Sequence, residues 1–107
     1  MRYYPLFLDI TGRKCVVVGG GNVAERKVER LLDCGARVEV VGKSLTPLLA
    51  AWNGEGKVVH RDADYEESCL VGAFLVIGAT DDGAVNGRVA TDARALGIPV
   101  NIVDDPA

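Results

Sequence analysis

Cys15-Val16-Val17-Val18 runs without a break into Gly19-Gly20-Gly21-Asn22-Val23-Ala24, and a helical pattern begins at once behind it. A short apolar strand, a Gly-x-Gly-x-x-Ala turn and a helix in that order make the layout of a dinucleotide-binding turn. Each small residue has a physical task. Gly19 permits the tight strand-to-helix turn. Gly21 has no side chain to hold a pyrophosphate off the backbone. Ala24 lets the helix pack closely on the strand. The helix N-terminus then offers unpaired N–H groups and the positive end of its dipole to an anion.

The spacing behind the turn predicts a helix over residues 22–34. Ala24, Val28, Leu31 and Leu32 recur at helical intervals, charged residues fill the other face, and Gly35 ends it. Lys14 to Val18 is the first predicted strand and Arg37 to Val41 the second. A short helix is expected over Leu45 to Trp52, with Ser44 as its N-cap and Pro47 in its first turn. Val58-Val59 marks a third strand. Asp62 to Ser68 reads as a polar, solvated connection. Ala73 to Gly78 is a continuous apolar run, the mark of a parallel strand buried on both faces. Asp81 or Asp82 caps a helix carrying Val85, Val89, Ala93 and Leu96, and Ile98 to Val103 is the last strand.

Alternating strands and helices demand a parallel sheet with right-handed crossovers. The fold class is therefore α/β: a doubly wound parallel sheet of the Rossmann type, with strand order 3-2-1-4-5. Tyr4 to Ile10 is expected to add an edge strand before a turn at Thr11-Gly12. The 107 residues suffice for one domain and not for two.

Composition excludes some functions. A formal net charge of −3 argues against wholesale nucleic-acid binding. No apolar run approaches the roughly 20 residues of a membrane span. The N-terminal apolar stretch, with Pro5 near its start and Asp9 at its end, is too short for a signal peptide. A cytoplasmic protein is the default expectation. Cys15, Cys34 and Cys69 lack metal-ligand spacing and read as reduced packing thiols. His60, the only histidine, is expected near a strand end rather than on a metal. Trp52 reads as a packing residue. No resident metal site is expected.

In an open α/β sheet the ligand lies beyond the carboxyl ends of the strands, near the switch in strand order. The loops there are Gly19 to Val23, Val41 to Ser44, Gly78 to Asp82 and Val103 to Pro106. Asp104-Asp105-Pro106 after the last strand reads either as a turn or as a pair of carboxylates placed to supply a base. The acid expected about 20 residues past the glycines, on the ribose 2′-hydroxyl, is missing. That position reads Val40-Val41-Gly42-Lys43-Ser44, and Glu39 should alternate away in its strand. Lys43 can pair a 2′-phosphate, or the ribose can be left to backbone groups and Ser44. Arg26-Lys27 oppose the dipole of the glycine-loop helix and are candidates for holding an anion.

Several blocks occur in order: Tyr4-Pro5-Leu6-Phe7-Leu8, Val18 to Lys27, Ala79-Thr80-Asp81-Asp82, Val85-Asn86 and Val100 to Pro106. Together they resemble the N-terminal module of siroheme synthases, the precorrin-2 dehydrogenase and sirohydrochlorin ferrochelatase family. The resemblance covers essentially the whole chain. It implies NAD⁺-dependent oxidation of precorrin-2 to sirohydrochlorin, with Fe²⁺ insertion into sirohydrochlorin as a second activity in many members. Fe²⁺ would then be a substrate. Beside Gly19, Gly21 and Ala24 of the turn, cofactor contacts are implied at Asn22, Val23, Lys43 and Ser44, with Thr80 near the nicotinamide end. This favours NAD. The family's acid/base maps onto Asp104. A homodimer is implied for the full-length protein, and family members continue into dimerisation and helical domains expected to be absent from these 107 residues. A non-catalytic NAD(P)-binding sensor and an S-adenosylmethionine methyltransferase are the competing classes. Both usually carry the acid that is missing after the second strand.

Overall fold

A computed structural model describes residues 2–103. Five strands form one parallel sheet: β1 (Lys14–Val18), β2 (Arg37–Val41), β3 (Val58–Arg61), β4 (Leu75–Gly78) and β5 (Val100–Ile102). Their order is β3-β2-β1-β4-β5, as expected from the glycine-rich turn after the first strand. Three helices connect them: α1 (Asn22–Asp33), α2 (Pro47–Gly54) and α3 (Gly83–Ala95).

The sheet is buried on both faces, and β1 shows how. Cys15 and Val17 enter the apolar cluster that packs Ala24, Val28 and Leu31 of α1 and Leu49 of α2. Val16 and Val18 point the other way, into the cluster holding Val89 and Ala93 of α3. A strand alternates its side chains between faces, so an unbroken apolar run is what two cores demand. Glu39 is the polar exception in β2. Its carboxylate lies 3.2 Å from Lys14 Nζ and 3.9 Å from Arg61 Nη1, so it is held by cations of the two neighbouring strands.

Several boundaries differ from the sequence expectation. Helix α1 ends at Asp33, with Cys34 as its C-cap and Gly35 at φ +78°. Helix α2 starts at Pro47 and runs to Gly54, and its cap is Thr46 rather than Ser44. Thr46 Oγ1 accepts the Leu49 N–H at 3.1 Å. Proline fits the first helical position because its missing N–H would have no helical partner there, so the cap falls on the residue just before it. Strand β3 extends two residues past Val59. His60 Nε2 lies 2.7 Å from the Gly42 carbonyl and ties β3 to the loop after β2. Strands β4 and β5 are shorter than their apolar runs.

One expectation fails outright and another in part. Residues 4–10 form no strand. Tyr4 and Phe7 are 91% and 99% exposed, and only Ile10 is buried. The segment feeds straight into β1, whose two flanks are already taken by β2 and β4, so it has no adjacent edge to pair with. Asp62 to Ser68 is also not a solvated connection throughout. Tyr65 is buried, and a turn of 3-10 helix over Glu67–Leu70 buries Cys69 and Leu70 in the α3-side core. Helix α3 supplies the polar partners that let Tyr65 in. The Tyr65 hydroxyl donates to Asp92 Oδ2 at 2.7 Å, and Arg88 Nη2 donates to the Tyr65 carbonyl at 2.8 Å.

Burial first, and then the bond to Asp92, push the Tyr65 phenol well above its ordinary value of 10.0. The folded chain therefore favours the neutral phenol. This contribution to stability is complete below pH 10 and is lost as pH climbs beyond it. Burial acts the same way on the Cys15 thiol, starting from its ordinary value of 9.0. Denaturant melts across the alkaline range should show stability falling, with Tyr65→Phe flattening the upper part of the slope. An unchanged slope in that variant would mean that Tyr65 does not set it.

Candidate functional site

Beyond the carboxyl ends of the strands lies a cleft of about 630 Å³. It sits over β1 and β4, where the strand order reverses and where an open α/β sheet leaves a crevice. Its floor is the glycine turn, Gly19 to Val23. One wall is Ser44, from the loop after β2. The opposite wall is Ala79, Thr80 and Asp81 from the loop after β4, with Gly83 and Asn86 of α3 and Val103 beyond β5.

The three glycines of the turn have different physical reasons. Gly19 sits at φ +128°, a backbone state that side chains rarely adopt, and a Cβ there would lie 2.6 Å from the Ala79 carbonyl oxygen. Gly20 is covered by the loop after β2, so a Cβ would run into the Ser44 carbonyl. That loop is tied down by two bonds: Thr46 N–H donates to the Gly20 carbonyl at 3.0 Å, and Thr46 Oγ1 donates to Glu25 Oε1 at 2.7 Å. Gly21 is different. It has an ordinary φ of −91°, and a Cβ would meet nothing within 4 Å. Its bare face opens into the cleft.

The helix behind Gly21 has a free end. No side chain caps α1. Thr46 caps α2, and Asp82 Oδ1 caps α3 by accepting the Ala84 and Val85 N–H groups at 2.9 and 3.3 Å. The first N–H of α1 to find a backbone partner is that of Glu25, on the Gly21 carbonyl at 2.9 Å. The preceding N–H groups have no partner among the described residues, and they sit beside Gly21 at the positive end of the helix dipole. Such an end is a ready anion site. These features fit the pyrophosphate of a dinucleotide.

The structure places Gly19, Gly21, Asn22, Val23, Ser44 and Thr80 together around the cleft. Ala24 is fully buried between α1 and β1, so it acts as a packing residue behind the turn. Lys43 is exposed and does not line the cleft. Arg26 and Lys27 do not line it either. Asp104 and Asp105 lie outside the described residues. Asp82 serves as the α3 cap, while Asp81 lines the cleft.

Two contributors escaped sequence reasoning. Thr46 locks the loop after β2 onto the glycine turn. Asn86 brackets Thr80: its Oδ1 accepts the Thr80 N–H at 3.2 Å and the Thr80 hydroxyl at 2.8 Å, and its Nδ2 donates to the Thr80 carbonyl at 3.0 Å. Its place four residues into α3, behind an Asp cap, was the available signal.

Gly21→Ala tests the cradle directly. The methyl group meets no protein atom, so thermal stability should stay close to that of the wild type. Dinucleotide affinity should fall on the order of 100-fold, because the methyl stands where phosphate would approach the N–H groups. Calorimetric titration with a melt on the same sample reads both; unchanged affinity would take the pyrophosphate away from Gly21.

Comparison with known proteins agrees with this geometry. Residues 6–107 match a family described as "Putative NAD(P)-binding". The siroheme synthase of Nitrosospira multiformis is 50% identical over 99% of this chain, and that of Methylobacillus flagellatus is 47% identical over 99%. The chain spans only 23% of the length of each of these relatives. Among solved structures, SirC, a precorrin-2 dehydrogenase, superposes with a TM-score of 0.79 at 28% identity. The match covers 98% of this chain and 51% of that one. A shikimate dehydrogenase from Aquifex aeolicus shares the fold, with a TM-score of 0.59 at 11% identity. Among the described residues no helix is long and apolar enough to cross a membrane.

Proposed function

Because the chain belongs to the NAD(P)-binding family, in the form that siroheme synthases carry, we propose that it is the NAD-binding part of a precorrin-2 dehydrogenase acting in siroheme biosynthesis. One observation carries the reading. At the switch point of the sheet, the uncapped end of α1 and the bare face of Gly21 open into one cleft whose far wall holds Thr80.

The adenosine half would lie over the loop after β2, the pyrophosphate over α1, and the nicotinamide half toward β4 and β5. The loop after β2 offers Ser44 to the ribose. Lys43, exposed beside Ser44, is a further cofactor contact in this proposal, and Glu39 is engaged by Lys14 and Arg61. The family match and the precorrin-2 dehydrogenase neighbour support NAD⁺ as the cofactor. When bound, NAD⁺ supplies a hydride acceptor for the oxidation of precorrin-2 to sirohydrochlorin. Asp104 takes the accompanying proton onto its carboxylate. Its predecessor Val103 lines the cleft, with its N–H on the Gly78 carbonyl at 2.8 Å, so the chain leaves β5 at the cleft wall. In Fe²⁺ insertion, a second activity within the same proposal, Asp104 accepts the protons released from the pyrrole nitrogens. A homodimeric full-length protein in the cytoplasm belongs to the same proposal.

Titration with NAD⁺, NADP⁺ and S-adenosylmethionine tests the cofactor, with NAD⁺ expected to bind most tightly. Precorrin-2-dependent NADH formation, measured on the chain in its full-length context, tests the reaction. NAD⁺ binding without turnover would reduce the domain to a sensor. Preference for S-adenosylmethionine would overturn the reading altogether.

A further inference from the structure

The wall of the cleft after β4 is built around one peptide, that of Thr80, and Asn86 holds it from both sides. The amide orientation of Asn86 is forced by its partners. Both Thr80 donors, N–H and O–H, converge on one Asn86 side-chain atom, at 3.2 and 2.8 Å. Only the carbonyl Oδ1 can accept both. The other atom faces the Thr80 carbonyl at 3.0 Å and must be the donor Nδ2.

This arrangement leaves a definite remainder. Oδ1 accepts the Thr80 N–H, and the Thr80 hydroxyl shares its single proton between Oδ1 at 2.8 Å and the Asp82 carbonyl at 3.0 Å while accepting the Asp82 N–H at 3.1 Å. The second hydrogen of Nδ2 has no partner among the described residues, and the Thr80 carbonyl keeps one lone pair. Both residues line the cleft. Asn86 Nδ2 and the Thr80 carbonyl, bonded to each other at 3.0 Å, thus leave one donor hydrogen and one lone pair unused on two cleft-lining residues of a part-buried scaffold. A primary carboxamide carries the complementary pair, a carbonyl and an N–H. A carboxylate would bring two acceptors and meet the Thr80 carbonyl with a repulsion.

The geometry points to Asn86 as a positioning and specificity residue. It holds Thr80 so that the pair selects the primary carboxamide of a dinucleotide at the β4 end of the cleft. This rests on the reading that the cleft takes NAD⁺ and adds which ligand group the far wall recognises. The glycine turn and α1 are separate from this contact, so the ADP-ribose part of the ligand is held independently of Asn86.

The test is calorimetric titration of the 107-residue chain with three probes. They are NAD⁺, ADP-ribose, which lacks the nicotinamide ring, and nicotinic acid adenine dinucleotide, which carries a carboxylate in place of the carboxamide. Wild type should bind NAD⁺ about fivefold to tenfold more tightly than the carboxylate analogue, the scale of one or two hydrogen bonds. Asn86→Ala should abolish that preference while ADP-ribose affinity stays within about twofold, since its phosphates are held at α1. Asn86→Asp keeps the acceptor for Thr80 and loses the Nδ2 donor. It should lose the preference too, and being nearly isosteric it carries the test if the alanine variant does not fold. A preference that survives in either folded variant overturns the proposal. So does an equal loss of NAD⁺ and ADP-ribose affinity, which would mean a general loosening of the cleft. Wild type that binds ADP-ribose but does not prefer the carboxamide sinks this inference alone. Wild type that binds none of the three sinks the dinucleotide reading with it.

Discussion

Gly20→Ala is expected to destabilise the chain on the order of 3 kcal/mol, and so to lower its melting temperature by about 10–20 °C. The cause is backbone against backbone. A Cβ at residue 20 would overlap the Ser44 carbonyl oxygen, which cannot swing aside as a side chain would. Ser44 is held by its neighbours: Thr46 binds the Gly20 carbonyl through its N–H and Glu25 through its hydroxyl. Relief therefore means lifting the loop after β2 off the glycine turn and disturbing the start of α2. Gly87→Ala is the matched control. It lies in α3 with nothing within 4 Å of its Cβ position, and it should stabilise by about 0.5–1 kcal/mol through the lower backbone entropy of alanine in the unfolded chain. Gly20→Ala melting like wild type would mean that the loop after β2 is not fixed against the turn.

The second large effect belongs to the proposed reaction, measured on the chain in its full-length context. Asp104→Ala should lower precorrin-2-dependent NADH formation by about 10²–10⁴-fold, the range of a positioned general base. NAD⁺ affinity should stay within about twofold, because the phosphate cradle is built by the glycine turn and the start of α1. The comparison must be made at saturating NAD⁺, so that a binding loss is not read as a chemical one. Undiminished turnover would remove Asp104 from the mechanism. Asp81, which lines the described cleft, would then be the carboxylate to replace next.

Much of the architecture was legible because the chain repeats its instructions. β1 reads as a doubly buried strand from Cys15 to Val18, and the structure sends alternate residues of it into two cores. Gly19, Gly21 and Ala24 were assigned separate tasks in the turn, and the geometry keeps them separate: strain and close contact at Gly19, open space at Gly21, burial at Ala24. What went unread depends on three-dimensional partners. Tyr65 sits in a polar stretch with no periodicity and becomes a core residue only because Asp92 and Arg88 of α3 satisfy its polar groups. Tyr4 to Ile10 has the composition of a strand, but strand composition needs an open edge beside it, and β1 has none. Ser44 reads as the cap of α2 in the sequence, yet Pro47 at the first helical position marks Thr46. Asn86 was invisible as a clamp, since reaching back to Thr80 requires the angle at which α3 leaves β4.

The strand order has a kinetic meaning as well. β1, β2 and β3 follow one another along the chain and can zip up through short crossovers. β4 must instead find β1 from about sixty residues away, pairing Cys15 with Leu75 and Val18 with Gly78, and such distant pairings are the slow part of folding. The cleft spans that seam, with the glycine turn on one side and Thr80 and Asn86 on the other. A half-folded chain would therefore own the phosphate cradle and lack the far wall. Ligand present during refolding would hold the finished seam closed, slowing unfolding more than it hastens assembly.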